Sequence, residues 1–228
     1  MRVTIKERRP IAARDKRWAQ ASARWLKNRG VTPDQISFAS IFCALFAAAA
    51  FLFAFTFSSV WIRGSLLLLA AIMIQGRLLC NLLDGMVAVE GGLASPAGPV
   101  CNELPDRISD SLIFVAVGYG MPLMPQAAAL GWCAALLALM TAYLRLLGGT
   151  CGLKQPFFGP MAKQHRMALL FGGALLAALL PAESGQWLLW LCLCIVNIGT
   201  LVTCWRRGQY LFISLRQQAE KQGEEDAK

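Results

Sequence analysis

Residues 81–110 read NLLDGMVAVEGGLASPAGPVCNELPDRISD. They join two apolar runs, 61–83 and 100–122, and their reading decides what kind of protein this is. The stretch carries Asp84, Glu90, Glu103, Asp106 and Asp110, with Asn81 and Asn102 beside them. Asn81 and Asp84 are three apart, so they share a helix face; Asn102, Asp106 and Asp110 are spaced by four and share a face of the next helix. The pattern predicts one helix running to Glu90, a break at Gly91-Gly92, and a second helix starting at Ser95-Pro96. Their oxygens would converge at one rim. Carboxylates in apolar helices are expensive to bury unpaired and are functional candidates by default. Hard oxygen ligands suit Mg²⁺, Mn²⁺ or Ca²⁺. The competing reading is salt bridging, Glu103 with Arg107 or Glu90 with Arg77, which accounts for one or two of the acids.

Working outward, the flanks read as membrane. The chain has 228 residues, of which 57% are hydrophobic and only 15% charged, less charge than a soluble domain of this length carries. A transmembrane helix needs roughly 20 mostly apolar residues. About six runs qualify, near 36–57, 61–83, 100–122, 127–148, 166–182 and 186–205. No stretch alternates as barrel strands do, so the class is an all-α integral membrane protein.

Charge orients it. Arg2, Lys6, Arg8, Arg9, Arg14, Lys16, Arg17, Arg24, Lys27 and Arg29 precede the first run, and no apolar stretch of a signal peptide interrupts them. Arg145, Lys154, Lys163 and Arg166 surround the fourth connection; Arg206, Arg207, Arg216 and Lys221 follow the last run. Lysine and arginine favour the cytoplasmic side, which predicts both termini and the 81–110 connection there, in a bacterial inner membrane. The net charge of +9 flanks spans, and so suits anionic lipid headgroups rather than nucleic acid. The eight cysteines include no CxxC pair and read as small apolar residues.

Three segments follow. Residues 1–30 form a basic juxtamembrane part, in which AARDKRWAQASARWLKN (12–28) reads as an interfacial helix with Trp18, Ala21 and Trp25 at helical spacing. Gly30 ends it, and Thr32-Pro33-Asp34 caps the first span. Residues 31–208 form the six-helix domain, whose fourth span is expected to end at Arg145. Residues 209–228 form a polar tail, read as frayed or disordered beyond about 216.

The 81–110 stretch resembles the CDP-alcohol phosphotransferases, whose motif is D-x2-D-G-x2-A-R-x8-G-x3-D-x3-D. The spacing fits without a gap on Asn81, Asp84, Gly85, Ala88, Val89, Gly98, Asn102 and Asp106. The basic interfacial helix, the Thr-Pro-Asp entry and the six-span layout are similar too. Asn81 and Asn102 stand where the family has aspartate, and Val89 where it has arginine. Asp106-Arg107-Ile108-Ser109-Asp110 resembles the continuation found in phosphatidylinositol-phosphate synthases.

The resemblance implies transfer of a phosphatidyl-type group from a CDP-linked donor such as CDP-diacylglycerol to an alcohol, with release of CMP. It implies Mg²⁺ or Mn²⁺ held by Asn81, Asp84, Asn102 and Asp106, with Asp110 or Glu103 restoring charge. Asp106 would be the base; Asp84, Gly85, Ala88 and Gly98 would take the CDP part. A homodimer is implied as well. The segment GPMAKQHR (159–166) offers Lys163, His165 and Arg166, with Arg145 across the loop. These read either as headgroup anchors or as a phosphate site for the acceptor or the donor; the resemblance implies the phosphate of a phosphorylated polyol acceptor. Two other classes stay open: a catalytically silent member that binds CDP-lipid or a partner enzyme, and a small transporter, whose acidic cluster would sit mid-span instead of at one end.

Overall fold

The computed structural model describes residues 16–90 and 98–226. The expected break at Gly91-Gly92 and the Ser95-Pro96 start lie outside them. Seven helices are described: α1 (Arg17–Asn28), α2 (Pro33–Ala54), α3 (Val60–Glu90), α4 (Gly98–Tyr119), α5 (Ala127–Thr150), α6 (Lys163–Leu179) and α7 (Ala182–Asp226).

The start of α2 follows its local chemistry. The Thr32 hydroxyl accepts from the Gln35 N–H at 3.3 Å, and the Gln35 side chain accepts from the Thr32 N–H at 3.0 Å. This capping box satisfies two otherwise orphaned donors, and Pro33 behind it needs none. Gly30 takes φ +72°, the left-handed conformation glycine tolerates, and so ends α1. Ala19 and Ala23 of α1 are buried in a cluster with Leu82, Leu83, Met86 and Val87 of α3. Trp18 and Trp25 stay about half exposed on the other face, as an interfacial helix requires.

The bundle is held by small residues. α2 packs against α3 and α4, α5 against α4 and α7, and α6 against α3 and α7. Ala44, Ala47, Ala50 and Ala54 line the buried side of α2, around Phe51. At the α4–α5 crossing a Cβ on Gly118 would fall 2.6 Å from the Ala127 carbonyl, and one on Gly131 would fall 2.6 Å from the Phe114 carbonyl. Apolar lipid gives helices no hydrophobic reason to associate, so such backbone approach and the dispersion contacts it permits carry the packing. Outward-facing Phe42, Trp61, Leu136, Leu179 and Ile198 are more than half exposed, an exterior suited to acyl chains.

Four segments among the described residues are long and apolar enough to cross a membrane: α2, Val60–Ala88 of α3, α5, and Ala182–Glu220 of α7. α4 carries its charges in its first half, and α6 has 17 residues. Two expected boundaries are corrected. α5 runs past Arg145 to Thr150, because Gly148 is buried against Leu211 of α7 and Pro156, so packing overrides glycine's weak helix propensity. The tail beyond 216 is helical to Asp226. It continues α7 without a breaker, with an Arg216–Glu220 pair at 3.1 Å on its surface. All eight cysteines are free.

Candidate active site

Arg77, Asn81 and Asp84 fall on one face of α3 at i, i+4 and i+7, and Asn102, Asp106 and Asp110 on one face of α4. α2 packs against both helices and spaces them, and the gap between them opens into a cavity of about 780 Å³. Its wall includes Asn81, Asp84, Gly85, Asn102, Glu103 and Asp106. Arg107 of α4, Arg145 of α5, Lys163 and Arg166 of α6 and Arg207 of α7 complete the charged lining. The sequence therefore brought together eight of its candidates: Asn81, Asp84, Gly85, Asn102, Asp106, Arg145, Lys163 and Arg166. Ala88, Gly98, Asp110 and His165 are not part of that wall among the described residues.

Each carboxylate is held differently. Asp84 is 3% exposed; its Oδ2 accepts from the Ser37 hydroxyl of α2 at 2.7 Å, and its Oδ1 has no hydrogen-bond partner. A buried carboxylate oxygen left without a hydrogen bond, on a residue that lines a polar cavity, is a candidate to meet a ligand. Asp106 meets the Lys163 ammonium in an ion pair, and Arg77 lies 3.6 Å from the same oxygen. Glu103 receives both Arg107 and Arg145. The expected Glu103–Arg107 bridge is thus present; Glu90's side chain lies outside the described residues.

Asp110 does not join the ligand set. It is 1% exposed, its Oδ1 lies 2.5 Å from Arg77, and its Oδ2 accepts from Arg166 at 3.1 Å. With both oxygens taken by guanidinium groups, nothing is left for a cation. Arg166 is also turned inward. It is 1% exposed and donates to Asp110, to the Met161 carbonyl at 3.1 Å and to Thr141 at 3.4 Å. His165 is exposed, its Nδ1 2.9 Å from the Pro160 carbonyl.

Three supporting residues were missed in the sequence. Arg77 is fully buried and reaches from α3 to Asp110 and to the Asp106 carbonyl at 3.2 Å. Ser37 orients Asp84. Arg207 donates to the carbonyls of Thr141 at 2.6 Å and Phe158 at 3.0 Å, tying α7 to α5 and the loop before α6. Arg77 had a signal, a lone arginine two turns before Asp84 inside an apolar helix. Ser37 and Arg207 had none.

No family model matches the chain. The inner membrane protein YnbA of Escherichia coli (strain K12) is 28% identical over 184 residues, 79% of this chain and 83% of that protein. Among solved structures, the phosphatidylinositol phosphate synthase of Mycobacterium tuberculosis with CDP-DAG bound aligns at a TM-score of 0.71 and 19% identity, over 86% of this chain and 94% of that one. The same enzyme in complex with manganese and citrate aligns at 0.70 and 19%, over 85% and 88%. The chain has the fold of a CDP-alcohol phosphotransferase.

Five of the eight positions matched to the CDP-alcohol phosphotransferase motif fall on the cavity wall: Asn81, Asp84 and Gly85 from α3, Asn102 and Asp106 from α4. The cation that the motif resemblance implies can be tested against these residues. Among the described residues no group of three or more His, Cys, Asp or Glu side chains is placed to hold a metal ion. The donors present are the unpartnered Asp84 Oδ1, one oxygen of Asp106, and the carbonyl oxygens of Asn81 and Asn102. That set fits one hard divalent ion completed by water; two such ions would have only two motif carboxylates between them.

Proposed function

We propose that the protein transfers a phosphatidyl-type group from a CDP-linked lipid donor, CDP-diacylglycerol foremost, to an alcohol acceptor, with release of CMP. The observation that carries the proposal is the convergence of Asp84, its Oδ1 buried and unpartnered, and Asp106 on one cavity, at the motif positions of this fold. The cavity stands where α3 and α4 separate, and the positive-inside charge pattern supports a cytoplasmic location for that rim. There a lipid-anchored donor and a water-soluble acceptor could meet.

In this reading Asp84 and Asp106, with Asn81 and Asn102, hold one Mg²⁺ or Mn²⁺, which when bound offsets pyrophosphate charge and polarises the phosphorus. Ser37 fixes the rotamer of Asp84 by taking one of its oxygens. Gly85 leaves room on the wall beside Asp84 for the nucleotide. Asp106 accepts the hydroxyl proton of the acceptor as the new oxygen–phosphorus bond forms. The bond from phosphorus to the CMP oxygen breaks, and CMP leaves. Arg145, Arg107 and Lys163 supply positive charge around the transferred group, Arg145 and Arg107 being shared with Glu103. A phosphorylated acceptor would have to displace Glu103 from them. A homodimer, as the resemblance implies, belongs to the same proposal.

The two amides and Val89 favour one rival, a silent protein that binds CDP-lipid without turning it over. Purified protein given CDP-diacylglycerol, Mg²⁺ or Mn²⁺ and a panel of free and phosphorylated polyols separates the two. Acceptor-dependent CMP release supports transfer; donor binding without CMP supports the rival.

A further inference from the structure

We propose that the Lys163 ammonium takes the place of a second divalent cation, so that the site works with one metal ion and one lysine. The inference rests on the reading of the cavity as a CDP-donor site. It starts from charge. The motif calls for four carboxylates, which would balance two divalent ions. Here Asn81 and Asn102 leave two, Asp84 and Asp106. Two divalent ions against two carboxylates would repel each other in a site partly shielded from water.

Geometry supplies the replacement. Lys163 is the first residue of α6, and its ammonium forms an ion pair with Asp106 Oδ1, with side-chain exposures of 17% and 13%. An ammonium is compact and cationic and donates three hydrogen bonds, so it can neutralise a carboxylate or a phosphate oxygen without needing a ring of anionic ligands. Arg77 stands behind the pair, its own charge engaged by Asp110. Each motif carboxylate thus gives one oxygen to the protein, Asp84 Oδ2 to Ser37 and Asp106 Oδ1 to Lys163. Asp84 keeps one buried oxygen without a hydrogen-bond partner, and Asp106 lines the same cavity. Asn81 and Asn102 line that cavity too, and two carboxylates with two amides supply enough hard oxygen for a single ion. Two carboxylates, one divalent ion and the Lys163 ammonium then leave the site without a second metal's uncompensated charge.

The test is Mn²⁺ titration of the full-length protein in detergent, by calorimetry and by electron paramagnetic resonance, alongside CMP release. The parent should bind one Mn²⁺ per chain with an uncoupled spectrum. Lys163→Gln should bind that ion at least about tenfold more tightly, because a like charge has left its neighbourhood, while CMP release falls. Lys163→Arg should keep the parent's metal affinity. Asn81→Asp with Asn102→Asp and Lys163→Gln should bind two ions with a spin-coupled spectrum. Two Mn²⁺ on a parent that releases CMP would overturn the lysine's role and leave the transfer reading standing. Unchanged affinity in Lys163→Gln would overturn it as well. A parent that binds no Mn²⁺ would overturn this inference together with the proposed cofactor.

Discussion

The two halves of α4 solve opposite problems on one helix. From Asn102 to Asp110 it presents an amide and three acids to a cavity and to buried arginines. From Ile113 to Tyr119 it presents Ile113, Phe114 and Val117 to a dry core, with Gly118 in backbone contact with α5. The second half is held by shape, the first by charge. Within the first half, Asp106 and Asp110 are a single turn apart and differ as much as the halves do. Asp106 lines the cavity and pairs with Lys163 at its edge, whereas Asp110 is locked between Arg77 and Arg166. One acid is placed to act on a ligand, the other to hold three helices together.

That contrast can be broken most sharply at the acids. Asp84→Asn and Asp106→Asn should each lower CMP release by roughly 10²–10⁴, the range expected when a base is lost, while the protein melts as the parent does. Normal turnover in either variant would remove the distinction. Asp110→Leu should do the reverse of a clean catalytic lesion. It leaves two buried guanidinium groups without their carboxylate, a change that costs roughly 3–5 kcal/mol when a buried pair is broken. Thermal melting in detergent should show the loss before any assay is run, and a parent-like melt would mean the ion pairs bear little weight.

Arg145→Ala is expected to raise the KM of a phosphorylated acceptor about tenfold to a hundredfold, the worth of a charge-assisted hydrogen bond of roughly 1.5–3 kcal/mol. Glu103→Gln should lower that KM by freeing the same guanidinium. If both changes leave a phosphorylated acceptor's KM where it was, the Glu103 cluster only braces α4 against α5. In the apolar half, Gly131→Val should cost about 1–3 kcal/mol by overpacking the α4–α5 contact, read by melting, with Mn²⁺ affinity unaltered. The smallest effect is expected on α7, where Glu220→Ala removes an exposed pair and should move stability by no more than about 0.5 kcal/mol.

Much of this was legible in the residues. Apolar runs gave the helices, Thr32-Pro33 gave a start that the capping box bears out, and intervals of three and four put Asn81 with Asp84 and Asn102 with Asp106. Periodicity says which residues share a face; it does not say what stands opposite. Asp110 has the same register as Asp106, yet an arginine from α3 and another from α6 claim it. Lys163 read as an anchor or a phosphate ligand, and only the packing of α6 against α3 brings its ammonium to Asp106. The α7 tail was misjudged because its polarity was weighed and its continuity with the preceding span was not.

The transfer activity is tested most directly by CMP released per chain from CDP-diacylglycerol in the presence of Mn²⁺ and the acceptor panel, by the parent and by Asp84→Asn side by side. Acceptor-dependent CMP from the parent, reduced at least about a hundredfold in an equally folded Asp84→Asn, is the expected result. No CMP from the parent with any acceptor, or equal release from both proteins, would contradict it.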